Sequence, residues 1–223
     1  MKEKLEHSDV KISLKWVMLI VLFIISASLF IFIASTIVLQ NDYRYDMAVI
    51  RYVIAHETMS LIHFMMVFTF FGSAQFLLPA YILLILFYLI KKNKTYAIYI
   101  AVVGIGSTAL MFLLKNIFQR HRPPMPVIKT IVGYSFPSGH SLSSFVFCSL
   151  IAYLIFQTTL KTPLKFIIAF ILMIISFTIG LSRIILNVHY ASDVIGGFCL
   201  GFMLLVISLG IIKRQRKSFC NTA

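Results

Sequence analysis

The chain has 223 residues, 60% hydrophobic and 12% charged, with a mean hydropathy of +0.97; against the roughly 25% charged residues of an ordinary soluble domain, this all but excludes a water-soluble globular fold. The formal net charge of +13 would suggest nucleic acid in a soluble protein, so its placement has to be read before any partner is named. A helical span takes about 20 apolar residues, which leaves room for a single membrane domain, residues 1–223, and none for an appended soluble one.

Met1 to Lys15 is polar, and the run behind it, Trp16 to Leu39, is too long for a signal-peptide core and lacks a clear small-residue cleavage site, so a retained first span is expected. Asn41 to Phe71 is apolar but interrupted, with Met47 to Ala55 and Met59 to Phe71 broken by Arg51, His56 and Glu57. Two short extracytoplasmic helices are expected there, ending at Gly72 before the second span. One tilted span from Leu61 to Ile90 is the alternative and keeps the same topology. The later spans are expected at Gly72 to Ile90, Tyr96 to Leu114, His140 to Gln157, Phe166 to Ser182 and Asp193 to Ile212. The predicted fold is all-α, a polytopic membrane protein with six transmembrane helices.

Six spans put both termini on one side. That side receives Lys2, Lys4, Lys11, Lys15, Lys91, Lys92, Lys94, Lys161, Lys165, Lys213, Arg214, Arg216 and Lys217, while the other receives only Arg44, Arg51, Lys115, Arg120, Arg122, Lys129 and Arg183. The richer side is expected to be cytoplasmic. Much of the net charge is thus topological, and no nucleic acid is implied. Cys148 and Cys199 lie inside apolar runs and Cys220 near the end, without C-x-x-C pairing, so no disulfide or metal centre is expected.

Cations at the outer membrane edge need partners. Any one of Lys115, Arg122 or Arg183 could simply snorkel to the lipid headgroups, but their neighbours argue otherwise. The chain reads K-x6-R-P from Lys115 to Pro123, P-S-G-H from Pro137 to His140, and S-R-x5-H-x3-D from Ser182 to Asp193. All three blocks fall on one side of the membrane. Lys115, Arg122 and Arg183 suit the oxygens of a phosphoryl group, Arg as a planar fork and Lys as a point charge. Gly139 opens a helix whose first N–H groups have no intrahelical acceptor, and the Ser138 hydroxyl can add a donor or serve as an ordinary N-cap. His189 and Asp193 are four apart, the spacing of one helix face, where a carboxylate can accept from Nδ1 and leave Nε2 free.

In this order and spacing the three blocks resemble the signature of the type-2 phosphatidic acid phosphatase superfamily, over about residues 60 to 212. The resemblance implies that His189 attacks phosphorus to give a phosphohistidine, that Asp193 orients it, and that His140 protonates the leaving oxygen and then activates water. It implies a lipid phosphate substrate and an extracytoplasmic site in the cell membrane, with no cofactor. Undecaprenyl diphosphate is the expected substrate, with phosphatidylglycerol phosphate and phosphatidic acid as alternatives; a lipid phosphotransferase or an anion transporter are the rival functions. The few carboxylates, Glu3, Glu6, Asp9, Asp42, Asp46, Glu57 and Asp193, look too dispersed for a two-metal centre. Gly196, Gly197 and Gly201 form a small-residue face suited to close helix packing, with a homodimer as the other use. Selectivity is expected to lie in Asn41 to Phe71 and Pro124 to Tyr134.

Overall fold

The computed structural model describes residues 14–124, 126–128 and 133–221, with 213–221 as backbone only. The elements are α1 (Leu14–Phe32, continued by a π-helical stretch, Ile33–Val38), α2 (Arg44–His56), α3 (Met59–Phe71), α4 (Ala74–Ile90), α5 (Lys94–Phe118), α6 (Gly139–Phe156), α7 (Thr162–Ile185) and α8 (Ala191–Asn221). Among the described residues six stretches are long and apolar enough to cross a membrane, one of them Met59–Ile90, which joins α3 to α4. The helical break falls at Gly72, as the sequence suggests. By length and composition α3 and α4 together also make one apolar stretch, the alternative given above, and both readings keep the same topology. The cations Lys2, Lys4, Lys11 and Lys129, the acids Glu3, Glu6 and Asp9, and the side chains of Lys213, Arg214, Arg216, Lys217 and Cys220 lie outside the described residues.

The outer faces carry exposed Leu83, Ile105 and Phe170, a distribution suited to hydrocarbon and costly in water. Half of the α6 span is buried, against 6% for Met59–Ile90, so α6 is the central helix. It packs on α7 and α8, while α1 lies on α8, α4 on α5 and α3 on α7. Tyr99, Ile100, Leu150, Leu154 and Ile212 make one core cluster between α5, α6 and α8. At the other end Phe136, fully buried just before α6, stacks on Phe30 at 5.5 Å and meets Phe118 edge-on at 5.0 Å. Cys148 and Cys199 are buried thiols.

Two glycines set the helix approaches nearest the functional end. A Cβ on Gly72 would come within 2.4 Å of Ile179 and 3.0 Å of the His140 ring; one on Gly197 would stand 2.7 Å from the Ser138 carbonyl oxygen. Gly196 and Gly201 face Phe136 and Phe145, so the small-residue face of α8 is used within the chain. Gly197→Ala is therefore expected to lower unfolding stability in detergent by about 1–3 kcal/mol through overpacking. Gly106→Ala, where an added Cβ meets nothing within 4 Å, should show no such loss in the same thermal melt.

Candidate active site

The site forms where α5 and α7 end and α6 and α8 begin. Lys115 lies in the last turn of α5, which is closed by Gln119 in the left-handed conformation (φ 45°) with its N–H on the Lys115 carbonyl. The chain then returns as a loop held by the Ser135 N–H on the Arg120 carbonyl, 2.8 Å. Arg122 leaves this loop, and its Nη1 donates to the Val188 carbonyl at 2.8 Å. Lys115 Nζ donates to the Tyr134 carbonyl. At the end of α7 the N–H groups of Val188 and His189 both donate to the Arg183 carbonyl, 3.1 and 3.2 Å, with Asn187 at φ 50° making the turn. That hook sets His189 beside Arg183.

Lys115, Arg122, Gly139, His140, Arg183 and His189 line the head of one cavity of about 730 Å³, whose remaining walls are mostly apolar residues of α4 and α5, with the hydroxyls of Ser107, Thr108 and Ser143 among them. The sequence blocks therefore do converge. No carboxylate lines this cavity among the described residues. Arg183 is almost fully buried; its Nη1 donates to Thr69 Oγ1 and its Nε is buried without an acceptor. Three cations facing a poorly hydrated space with few acceptors constitute a demand for an anion.

The Arg122 Nη1 stands 3.2 Å from His189 Nε2. Arginine only donates, so Nε2 is the acceptor and the ring proton sits on Nδ1. Asp193 Oδ2 is 3.5 Å from that Nδ1, close but short of a formed hydrogen bond. Burial holds the His189 pKa well below its usual value, and Lys115, Arg122 and Arg183 push it further down, opposed by the Ser135 backbone. The imidazole is thus a neutral base with its lone pair toward the cavity.

Three expectations are modified. His189 and Asp193 do not share a helix face, because α8 starts only at Ala191; the turn before it brings them together. Ser138 does not cap α6 with its hydroxyl, which accepts from Ser141 at 3.0 Å, and its N–H donates to the Asp193 carbonyl at 3.0 Å. Asn41 to Phe71 and the described part of Pro124 to Tyr134 contribute no lining residue; the walls run from Gly72 to Phe112.

Sequence reasoning missed Arg120 and Asp46. Arg120 donates to Asp193 and Asp46, each at 2.7 Å, and all three side chains are buried. Asp46 is therefore part of the site's support, not one of a dispersed set. The signals available were an arginine inside the K-x6-R-P block and an acid on the earlier stretch α2, and it takes the fold to pair them. Among the described residues no three His, Cys, Asp or Glu side chains gather to hold a metal.

Residues 95–217 match the model of the PAP2 superfamily. The chain is 32% identical over 157 residues to the phosphatidylglycerophosphatase B of Bacillus subtilis (strain 168), covering 67% of this chain and 75% of the relative. It superposes on the crystal structure of the transmembrane PAP2 type phosphatidylglycerolphosphate phosphatase from Bacillus subtilis with a TM-score of 0.75 and 27% identity, over 88% of this chain and 96% of that one. A likeness in fold extends to Aquifex aeolicus LpxE, with a TM-score of 0.58 and 24% identity, over 76% and 97%.

If the cation cluster is an oxyanion site, inorganic phosphate at a hundredfold excess over its Kd should stabilise the purified protein by about 2.7 kcal/mol, read as a rise in its thermal midpoint. Arg183→Met should remove most of that dependence.

Proposed function

The chain belongs to the PAP2 superfamily, and on that footing we propose that it hydrolyses lipid phosphates through a phosphohistidine on His189. The observation that carries the reading is the cavity itself, which joins an apolar groove to a cation cluster. Its α5 wall runs from Ile100 to Lys115, about 22 Å of helix at 1.5 Å per residue, a length suited to a hydrocarbon chain. Leu78, Ile82, Ile105 and Phe112 line the groove and are also exposed on the apolar surface, so the groove opens toward lipid. A substrate with its phosphate on Lys115, Arg122 and Arg183 would keep its tail in hydrocarbon.

The proposed chemistry follows from the tautomer. Arg122 shifts from Nε2 to the phosphate oxygens, the Nε2 lone pair forms the N–P bond, and the P–O bond to the lipid breaks in line. His140, which carries its second ring proton only when the phosphate dianion is bound beside it, gives that proton to the departing oxygen. It then takes a proton from water, whose oxygen attacks phosphorus and breaks the N–P bond, releasing inorganic phosphate and restoring His189. Asp193 faces the positive charge that the ring carries while phosphorylated. The scheme asks for no metal, since cations and helix N–H groups meet the phosphate charge.

The Bacillus subtilis matches are named a phosphatidylglycerophosphatase B and a phosphatidylglycerolphosphate phosphatase, which supports phosphatidylglycerol phosphate as the first substrate to test for this chain. Undecaprenyl diphosphate, expected from the sequence, is the competing substrate. The excess of basic residues on one side of the spans supports cytoplasmic termini and an extracytoplasmic site.

In a panel of phosphatidylglycerol phosphate, phosphatidic acid and undecaprenyl diphosphate in detergent, wild type should release inorganic phosphate without an added acceptor. His189→Ala should lose at least about 10³-fold in kcat on every member. Release that requires an alcohol acceptor would mark a phosphotransferase, and full activity in the variant would refute the mechanism. EDTA should leave the rate unchanged. Because His189 is held neutral, protonation of the nucleophile should limit kcat/KM only below its usual pKa of about 6.5, read from the acid limb of the pH profile.

A further inference from the structure

The residues behind Asp193 form a buried polar network in which Arg120 Nε alone of the guanidinium nitrogens has no partner. Arg120 has a fully buried side chain and holds Asp193 Oδ1 through Nη1 and Asp46 Oδ2 through Nη2, both at 2.7 Å. The same Nη1 donates to Ser192 Oγ at 2.7 Å, while Asp46 accepts from the Ser192 N–H at 3.0 Å and from its hydroxyl. The guanidinium lies between two rings, 4.3 Å from the Tyr190 centroid and 5.2 Å from that of Tyr43. Tyr190 N–H donates to Asp193 Oδ2 at 2.9 Å, the oxygen that faces His189 Nδ1. Burying three ionised groups is unfavourable unless each is fully partnered, and hydrophobic packing could close this corner without them.

We infer that Asp46 and Arg120 are positioning residues for the reaction, clamping the Asp193 carboxylate so that one oxygen stays turned to the imidazole of His189. This rests on the reading of His189 as nucleophile. The charge arithmetic explains why a second acid is needed. Paired with Arg120 alone, Asp193 would be neutralised and would give the phosphorylated ring little compensation. Sharing the guanidinium with Asp46 leaves the trio one net negative charge. That charge stands against the cations surrounding His189, namely Lys115 of α5, Arg122 of the loop and Arg183 of α7, with His140 of α6 also facing the ring. Through Asp46, α2 is tied to the start of α8 and so to the reacting centre, though it touches no substrate.

The test compares Asp46→Asn, Arg120→Lys and the double variant Asp46→Asn/Arg120→Gln with wild type in the phosphate-release assay. Arg44→Ala serves as a control, since it removes an exposed α2 side chain that pairs with Asp42 and lies over Tyr45, away from Arg120 and Asp193. Asp46→Asn should lower kcat about 10- to 100-fold, as loss of a partner that orients an imidazole does, with KM little changed. It should also move the acid limb of kcat/KM to lower pH, because a negative charge near His189 has gone. Arg120→Lys, which keeps the charge without the fork, should recover only part of the rate. The double variant keeps the net negative charge of the trio on Asp193 but removes the guanidinium that clamps it, and it should lose kcat as much, giving the result if Asp46→Asn does not fold. Wild-type kcat in Asp46→Asn or in the double variant, or a loss with KM raised and the acid limb unmoved, overturns the inference. An active His189→Ala would overturn it together with the nucleophile reading; an inactive one beside fully active Asp46→Asn would overturn this inference alone.

Discussion

Positive charge held where water is scarce organises this molecule. Lys115, Arg122 and Arg183 stand at the head of an apolar groove with no lining carboxylate among the described residues, and such a cluster is tolerated only if the surrounding structure supplies acceptors. Main-chain carbonyls of Gly133, Tyr134 and Val188, and the Thr69 hydroxyl, take that part. These acceptors can be exchanged for a ligand's oxygens. The ends of four helices meet here because each contributes a cation, an imidazole or the N–H groups that face them.

Behind the cations the charge sign reverses. Asp193, Arg120 and Asp46 form a layer one side chain deeper, screened by Tyr43 and Tyr190. His189 lies between the two layers. Its Nε2 faces Arg122 and the cavity while its Nδ1 faces Asp193, so the ring is polarised along the line on which a phosphoryl group would arrive. Burial and the cations keep it neutral; on the proposed mechanism the carboxylate behind it would answer the charge the ring acquires on phosphorylation.

Much of this was legible in the sequence, and for identifiable reasons. The spans follow from hydropathy, which is additive along the chain and needs no tertiary information. Lys115, Arg122, His140, Arg183 and His189 could be named because their spacing within short blocks is itself the signal. Arg120 and Asp46 could not, since their meaning depends on a contact across more than seventy positions. The groove escaped notice for a related reason: Leu77, Tyr81 and Ile85 are indistinguishable from lipid-facing residues until α5 is packed beside α4. The helix-face reading of His189 and Asp193 failed because a spacing of four is met equally by a turn running into a first helical turn.

On the proposed function, the exposed rim of the groove, where Leu78, Ile82, Ile105 and Phe112 meet the apolar surface, would make encounter a two-dimensional event. A lipid reaching the cations from the side diffuses in the leaflet, so the quantity that governs saturation is its mole fraction among neighbouring lipids or detergent, and bulk molarity is beside the point. Diluting the same substrate into more amphiphile would then slow turnover even at constant total concentration.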